Sequence, residues 1–536
     1  MQRRVGGIAL IALPSAFLAI FFLWPLLSIL GAGLFDGIRP DLSAIGGTLT
    51  DRRLVGAAWF TLWQALGATA LSLGLGLPVA YVFTRYRFPG KNALSALFTV
   101  PFVLPTVVVA AAFLAIAGDG GLLGADLSGT IWIVLAAHAF YNVPVVVRTV
   151  GSLWRHLDPD LENAARTLGA SRWRAFTTVA LPQLRPAIAA AASIVFLFTF
   201  TSFGVVLLLG APHLTTIEVE IYRHTALLLD LPTAAVLALA QLIAVAVVLG
   251  LYARHQERRI DATRLRPARD TERRPRGRER WLVAGVLGAA IAFLVGPMVV
   301  LGARSLETAD GIGLNAYRTL GAADGVVDAG AAVANSLGYA VAATVMAVAL
   351  GMAAAAVVVH RKGRMSRWFD TLLMLPLGTS AVTLGFGFIV ALDWPVDLRA
   401  SIVLVPIAHA LVAMPLIVRI VTPVMRSASQ RLREAAAVLG AGPVRAWREI
   451  DLPLAARAAA VGAAFAFAVS LGEFGATAFV ARPGSPTIPV AIFRLLGRPG
   501  ASNFATAMAL SVLLVAITTI AVIAVQRIRP PGSAEF

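Results

Sequence analysis

Apolar runs too long for a soluble fold dominate this chain, several of them uninterrupted over 18 residues or more. About 20 apolar residues in a helix span a hydrocarbon core of about 30 Å. Twelve such spans are expected, at about 8–30, 57–83, 93–117, 130–150, 187–209, 233–252, 281–303, 332–359, 369–392, 401–421, 456–479 and 504–525. The fold class is all-α and integral to a membrane. Composition agrees: 58% of residues are hydrophobic, 14% are charged, and mean hydropathy is +0.81.

The net charge of +17 does not point to nucleic acid, because of where the cations fall. Arg3 and Arg4, then Arg85, Arg87 and Lys91, then Arg361, Lys362 and Arg364, then Arg527 and Arg529 mark alternate turns between spans. The positive-inside rule assigns those turns, and both termini, to the cytoplasm. The first run exceeds the core of a signal peptide, about 7–15 residues, so it is expected as an uncleaved span. Residues 254–280 hold eleven arginines and five acids with no apolar periodicity, as in a solvated cytoplasmic linker near anionic lipid. Cysteine is absent, which excludes disulfides and thiolate chemistry. No HExxH or Walker A pattern occurs; at Gly90-Lys91 the next residue is Asn92.

The chain repeats itself. An offset of 271 carries His138 to His409, Pro144 to Pro415, Gly169 to Gly440, Pro182 to Pro453, Phe203 to Phe474 and Arg223 to Arg494. Upstream the offset is 275, taking Thr61 to Ser336 and Pro101 to Pro376. The change falls near 119–129, in an outer loop where length varies cheaply. Each half holds an even number of spans, so the copies share one orientation, with a pathway expected between them. The expected domains are 1–253 and 281–536 about the 254–280 linker.

Polar segments at 163–182 and 434–453 interrupt the apolar sequence at equivalent places. Each has an alanine pair (Ala164 and Ala165; Ala435 and Ala436), a glycine (Gly169; Gly440), and a closing Leu-Pro (Leu181-Pro182; Leu452-Pro453). These segments resemble the EAA loops of ABC-importer permeases. The resemblance implies two parallel six-helix repeats of the type I importer fold, with coupling loops at about 153–186 and 424–457. It further implies two copies of an ATPase subunit docked on those loops, with ATP and Mg2+ held there and no cofactor in this chain. A periplasmic solute-binding protein and a place in the bacterial inner membrane are implied as well. The glutamate of the motif is present as Glu434 but is Asn163 in the first copy, beside Glu162. One position rotates a side chain by about 100° on a helix, so the two docks are expected to be unequal.

Stretches 200–222 and 470–475, followed by Thr487-Ile-Pro, are similar to thiamine-importer permeases. Fused permeases of iron(III) importers are the alternative, and Gly-Glu-Phe-Gly segments also resemble permeases for anions such as molybdate. Glu473 is costly within an apolar run. With Phe474 it offers a cation–π pair for a thiazolium, although a structural or gating role is favoured. Its repeat mate is Ser202, followed by Phe203. These four, with Pro101, Pro105 and Pro376 as hinges or pathway shapers, are the pathway candidates. Glu218 and Glu220 are expected on a solvated face, Trp281 and Trp394 at the membrane interface, and His138 and His409 in packing. A twelve-helix secondary transporter is the rival of another class; it predicts neither matched docking loops nor so few mid-membrane acids.

Overall fold

The computed structural model describes residues 11–36, 39–257, 272–308, 311–318, 320, 327–360, 363–399, 401–427, 430–482 and 484–528. Among them ten helices are long and apolar enough to cross a membrane, or up to twelve if each of two bent pairs is one span. The bent pairs fall on two of the expected spans, those that hold Pro101, Pro105 and Pro376. Helices Lys91–Val103 and Thr106–Ala117 meet at 102°, and Trp368–Pro376 meets Ala381–Ala391 at 95°. In both, the break falls just beyond a repeat-related proline. Leu104 and Thr379 are extended, and their N–H groups donate to the carbonyls of Pro101 and Pro376 at 3.3 Å. Leu104 precedes Pro105, which disfavours helical backbone there. In the second copy the Ser380 hydroxyl restarts the helix by accepting from Val382 N–H at 3.1 Å.

Two more expected spans end early. The helix from Arg172 stops at Phe200, and that from Leu452 stops at Gly472. Short helices Gly204–Leu209 and Thr477–Val480 follow the breaks. Each half's first helix ends in a two-residue antiparallel ladder, Phe35–Asp36 with Arg39–Pro40 and Glu307–Thr308 with Gly311–Ile312.

Two compact units form, and they do not follow the sequence halves. One collects Met1–Thr50, Glu220–Leu242 and Ser305–Ala534; the other collects Asp51–Val219, Ile243–Arg304 and Glu535–Phe536. In the first, the helix Ile11–Leu34 lies on second-half sequence: Trp24 Nε1 donates to the Ala391 carbonyl at 3.1 Å. Gly387 makes this approach possible, since a Cβ there would lie 2.9 Å from Pro25 Cβ. In the second unit, helix Glu279–Ser305 packs on first-half sequence, with Phe293 6.4 Å edge-on to Phe140. The first helix of each half is thus exchanged.

Inside each unit the repeat survives as packing. A Cβ on Gly76 would meet Val146 Cβ at 2.7 Å, and one on Gly351 would meet Ile417 Cβ at 2.7 Å. The two contacts are equivalent under the sequence offsets. Lipid tails are as apolar as leucine, so close backbone approach at small residues and dispersion hold such helices together.

Candidate functional site: two matched loops

The two polar segments fold alike. In the first, Asp158 caps the helix Pro159–Thr167 by accepting from Asp160 N–H at 2.9 Å, and no residue of that helix is buried. Its second counterpart is Gln430–Val438. Both helices end in the same three hydrogen bonds. Leu168, Gly169 and Ala170 donate to the carbonyls of Ala164, Arg166 and Ala165, and Leu439, Gly440 and Ala441 donate to those of Ala435, Ala437 and Ala436. The turn needs a left-handed residue, supplied by Gly169 at φ +93° and Gly440 at φ +81°. A four-residue helix follows each, then a π-turn, Phe176–Ala180 or Trp447–Asp451, leading into Leu181 or Leu452.

What these loops present is apolar. Leu161 and Leu432 are 50% and 53% exposed, and Leu168 and Leu439 are 89% and 86% exposed. Trp173 and Val438 add to the surface. Asn163, Ala164, Gly169, Glu434, Ala435 and Gly440 are exposed beside them, whereas Ala165, Ala436, Leu181, Pro182 and Leu452 are half-buried and Pro453 is exposed. Apolar side chains held out from a polar helix mark an interaction surface. The motif residues shape the loop, while the leucines, which the motif alone did not single out, are held out on its surface.

Glu162 is turned inward. Its Oε1 accepts from Arg85 Nη2 at 2.7 Å, with the two side chains 25% and 8% exposed. Arg85 ends the helix Arg52–Arg85, so the first loop helix is fastened to that helix. The linker meets that helix too: 258–271 lie outside the described residues, while 272–280 are mostly exposed and are paired there. Glu272 pairs with Lys91 at 2.9 Å and Arg87 at 3.3 Å, and Glu279 with Arg273 at 2.6 Å. Arg273 also exchanges backbone hydrogen bonds with Arg85 and Arg87, and stacks 5.2 Å over Tyr86.

The pathway candidates are buried within their own units. Pro101, Pro105 and Pro376 are enclosed at the bends, and Ser202, Phe203, Glu473 and Phe474 lie at the helix breaks. Glu473 is not mid-helix as its apolar neighbourhood implied. Its carboxylate accepts from Ala476 N–H at 2.9 Å and Thr477 N–H at 3.0 Å, and His409 Nε2 lies 3.3 Å away. His409 Nδ1 in turn meets Ser470 Oγ at 2.7 Å. In the other unit His138 Nε2 meets Ser202 Oγ at 2.8 Å. The paired histidines therefore tie each break to a neighbouring helix, Ile131–Trp154 or Leu404–Ser427. No group of three or more potential metal ligands occurs among the described residues.

Beyond each break a further helix is fastened by a repeat-related hydroxyl. Ile217 N–H donates to Thr61 Oγ1 at 2.9 Å, and Ile488 N–H to Ser336 Oγ at 2.7 Å. Glu218 and Glu220 overturn the solvated-face expectation, being 0% and 1% exposed. Arg223 and His224, three and four residues after Glu220, approach it to 3.4 Å and 3.9 Å. Trp281 and Trp394 are 82% and 69% exposed.

Comparison with known proteins agrees with this architecture. The description "Binding-protein-dependent transport system inner membrane component" matches twice, over residues 72–262 and 347–530, together more than half of the chain. The thiamine transport system permease protein of Brucella abortus (strain 2308) is 30% identical over 494 residues, covering 88% of each chain. Its Escherichia coli (strain K12) counterpart is 28% identical over 456 residues, covering 82% of this chain and 83% of that one. A sulfate transport system permease of Escherichia coli is 38% identical over 169 residues, 30% of this chain and 61% of that protein. Among solved structures, a bacterial ABC transporter importing alginate aligns with a TM-score of 0.40 at 17% identity, over 48% of this chain and 98% of that one. With two matched loops, two matched sets of helices and two matches to one description, the chain belongs to the binding-protein-dependent ABC-importer permeases, as a fused pair.

Proposed function

We propose that this chain is the membrane subunit of an ATP-driven importer of thiamine or its phosphates. The observation that carries the reading is the pair of loops with matching hydrogen bonds, each turning at a left-handed glycine and holding leucines outward. An ATPase subunit docks on each, so two copies serve one chain, and ATP with Mg2+ is held there. A periplasmic solute-binding protein delivers the solute on the opposite face. Both termini lie in the cytoplasm of a bacterium, with permease domains 1–253 and 281–536 joined by the basic segment, which also meets anionic lipid. The thiamine assignment is supported by permeases of thiamine transport systems that align with 82–88% of the chain. The shorter sulfate-permease match favours an oxyanion as the second reading.

Reconstitution in liposomes with the cognate ATPase subunit tests both. Expected are retention of the ATPase subunit, hydrolysis stimulated by a thiamine-loaded binding protein, and uptake abolished by vanadate. Stimulation by an iron-loaded or sulfate-loaded partner alone would overturn the substrate assignment. Uptake driven by a proton gradient in ATP-depleted vesicles would overturn the importer itself.

A further inference from the structure

One helix in the second compact unit is fastened at both ends to segments of different character. Arg52–Arg85 runs unbroken for 34 residues through Pro78. At one end buried Arg85 grips Glu162 on the first loop helix at 2.7 Å. Near the other, Thr61 accepts from Ile217 N–H at 2.9 Å, and Gln64 Nε2 donates to the Thr199 carbonyl at 2.9 Å, beside the break after Phe200. Thr61 and Arg85 stand about 36 Å apart along the helix at 1.5 Å per residue. Arg85 Nη1 has no hydrogen-bond partner among the described residues, so Glu162 supplies the counter-charge at that end.

The second half cannot build the same connection. In register, Glu162 becomes Arg433 and Arg85 becomes His360, and Gln64 becomes Tyr339; only the hydroxyl, Ser336, is kept. Neither position carries an acid, so the ion pair of the first half has no counterpart there.

We propose that Arg85 and Glu162 are positioning residues that make Arg52–Arg85 a rod, carrying displacement of the first loop helix to the outer segment Ile217–Tyr222. The stroke delivered by the ATPase at the first loop reaches the outer face through this rod, whereas the second loop acts by other contacts. Asn163, in the place of the motif glutamate, leaves the neighbouring acid to face inward to Arg85. This inference rests on the ATPase-docking reading above.

The chain has no native cysteine, so two labels can be placed on the purified permease without background before the complex is assembled. Trp59→Cys and Trp132→Cys, at exposed positions near the ends of helices Arg52–Arg85 and Ile131–Trp154, are spin-labelled in the full complex with ATPase subunit and binding protein. The inter-label distance is read with and without vanadate trapping. Wild type is expected to show a change. Glu162→Gln is expected to retain the ATPase subunit at wild-type stoichiometry, lose most of that change, and carry at least fivefold less solute per ATP. The exchanged pair, Arg85→Glu with Glu162→Arg, is expected to restore at least half the amplitude. A full-sized change in Glu162→Gln overturns the inference. Where that variant accumulates poorly, the exchanged pair decides, and an amplitude below a tenth of wild type overturns it. Failure of the docking reading looks different: wild type then neither retains the ATPase subunit nor responds to vanadate.

Discussion

Glu473 accepts from N–H groups that the start of the following helix, Thr477–Val480, leaves open, and its substitution separates that work from solute contact. Gln keeps the shape and one acceptor oxygen, while two N–H groups and a hydroxyl compete for it. Leaving a buried donor unsatisfied costs about 1–3 kcal/mol. Glu473→Gln is therefore expected to lower the melting temperature of the solubilised protein without altering which solute is carried. Altered selectivity at an unchanged melting temperature would return Glu473 to the pathway. Gly169 and Gly440 give a second measurement at this scale. Nothing lies within 4 Å of a Cβ built on either, so the cost of substitution is conformational rather than steric. A left-handed non-glycine residue costs about 1–2 kcal/mol. Gly169→Leu and Gly440→Leu are each expected to weaken retention of the ATPase subunit while membrane insertion is unchanged. Full retention in the double variant would remove the loops from the interface.

Among elements, the repeat makes paired predictions. Thr61→Val and Ser336→Ala each orphan one buried N–H, of Ile217 and Ile488, and are expected to destabilise alike, by about 1–3 kcal/mol. Gly76→Val and Gly351→Val drive a side chain into Val146 or Ile417, and overpacking of this kind typically costs about 1–3 kcal/mol. Thermal unfolding of the four variants checks both pairs, and unequal members would mean that the repeat no longer governs packing. Much of this was readable in sequence, because equal offsets place equal residues in equal surroundings. The helix breaks were readable only in part. Pro105 announces a bend, but an angle of 102° is set by the neighbours that receive the second segment. Residues 201–203 and 473–476 carry no breaker beyond glycine, so hydropathy runs through them. Glu218 and Glu220 were misread because charge reports cost, not location. Arg223 and His224 stood at the right spacing from Glu220, yet the enclosing helices cannot be inferred from spacing.

At the scale of the whole molecule, the exchanged first helices were invisible in the sequence. A repeat establishes common descent and orientation, and both contact arrangements, exchanged or not, satisfy the same hydropathy. The loops were the most legible part, since a turn ending at a left-handed glycine has few sequence solutions. Exchange predicts a particular outcome when the chain is cut. Residues 1–253 and 281–536 expressed separately each lack a helix that their units need, so neither is expected to be stable alone. Together they are expected to reassemble and transport. Stable accumulation of either half by itself would contradict the exchange.

The exchange also sets a timetable for synthesis. Trp24 meets the carbonyl of a residue 367 positions later, so the first helix enters the bilayer long before its seat exists. At about 5–20 residues per second, translation takes roughly 20–70 s to cover that separation. During that interval the Ile11–Leu34 helix must persist in lipid without its partner, exposed to membrane proteases and to helices of other nascent chains. Slow codons or a scarce chaperone during the second half of translation would thus be felt first at the opposite end of the polypeptide.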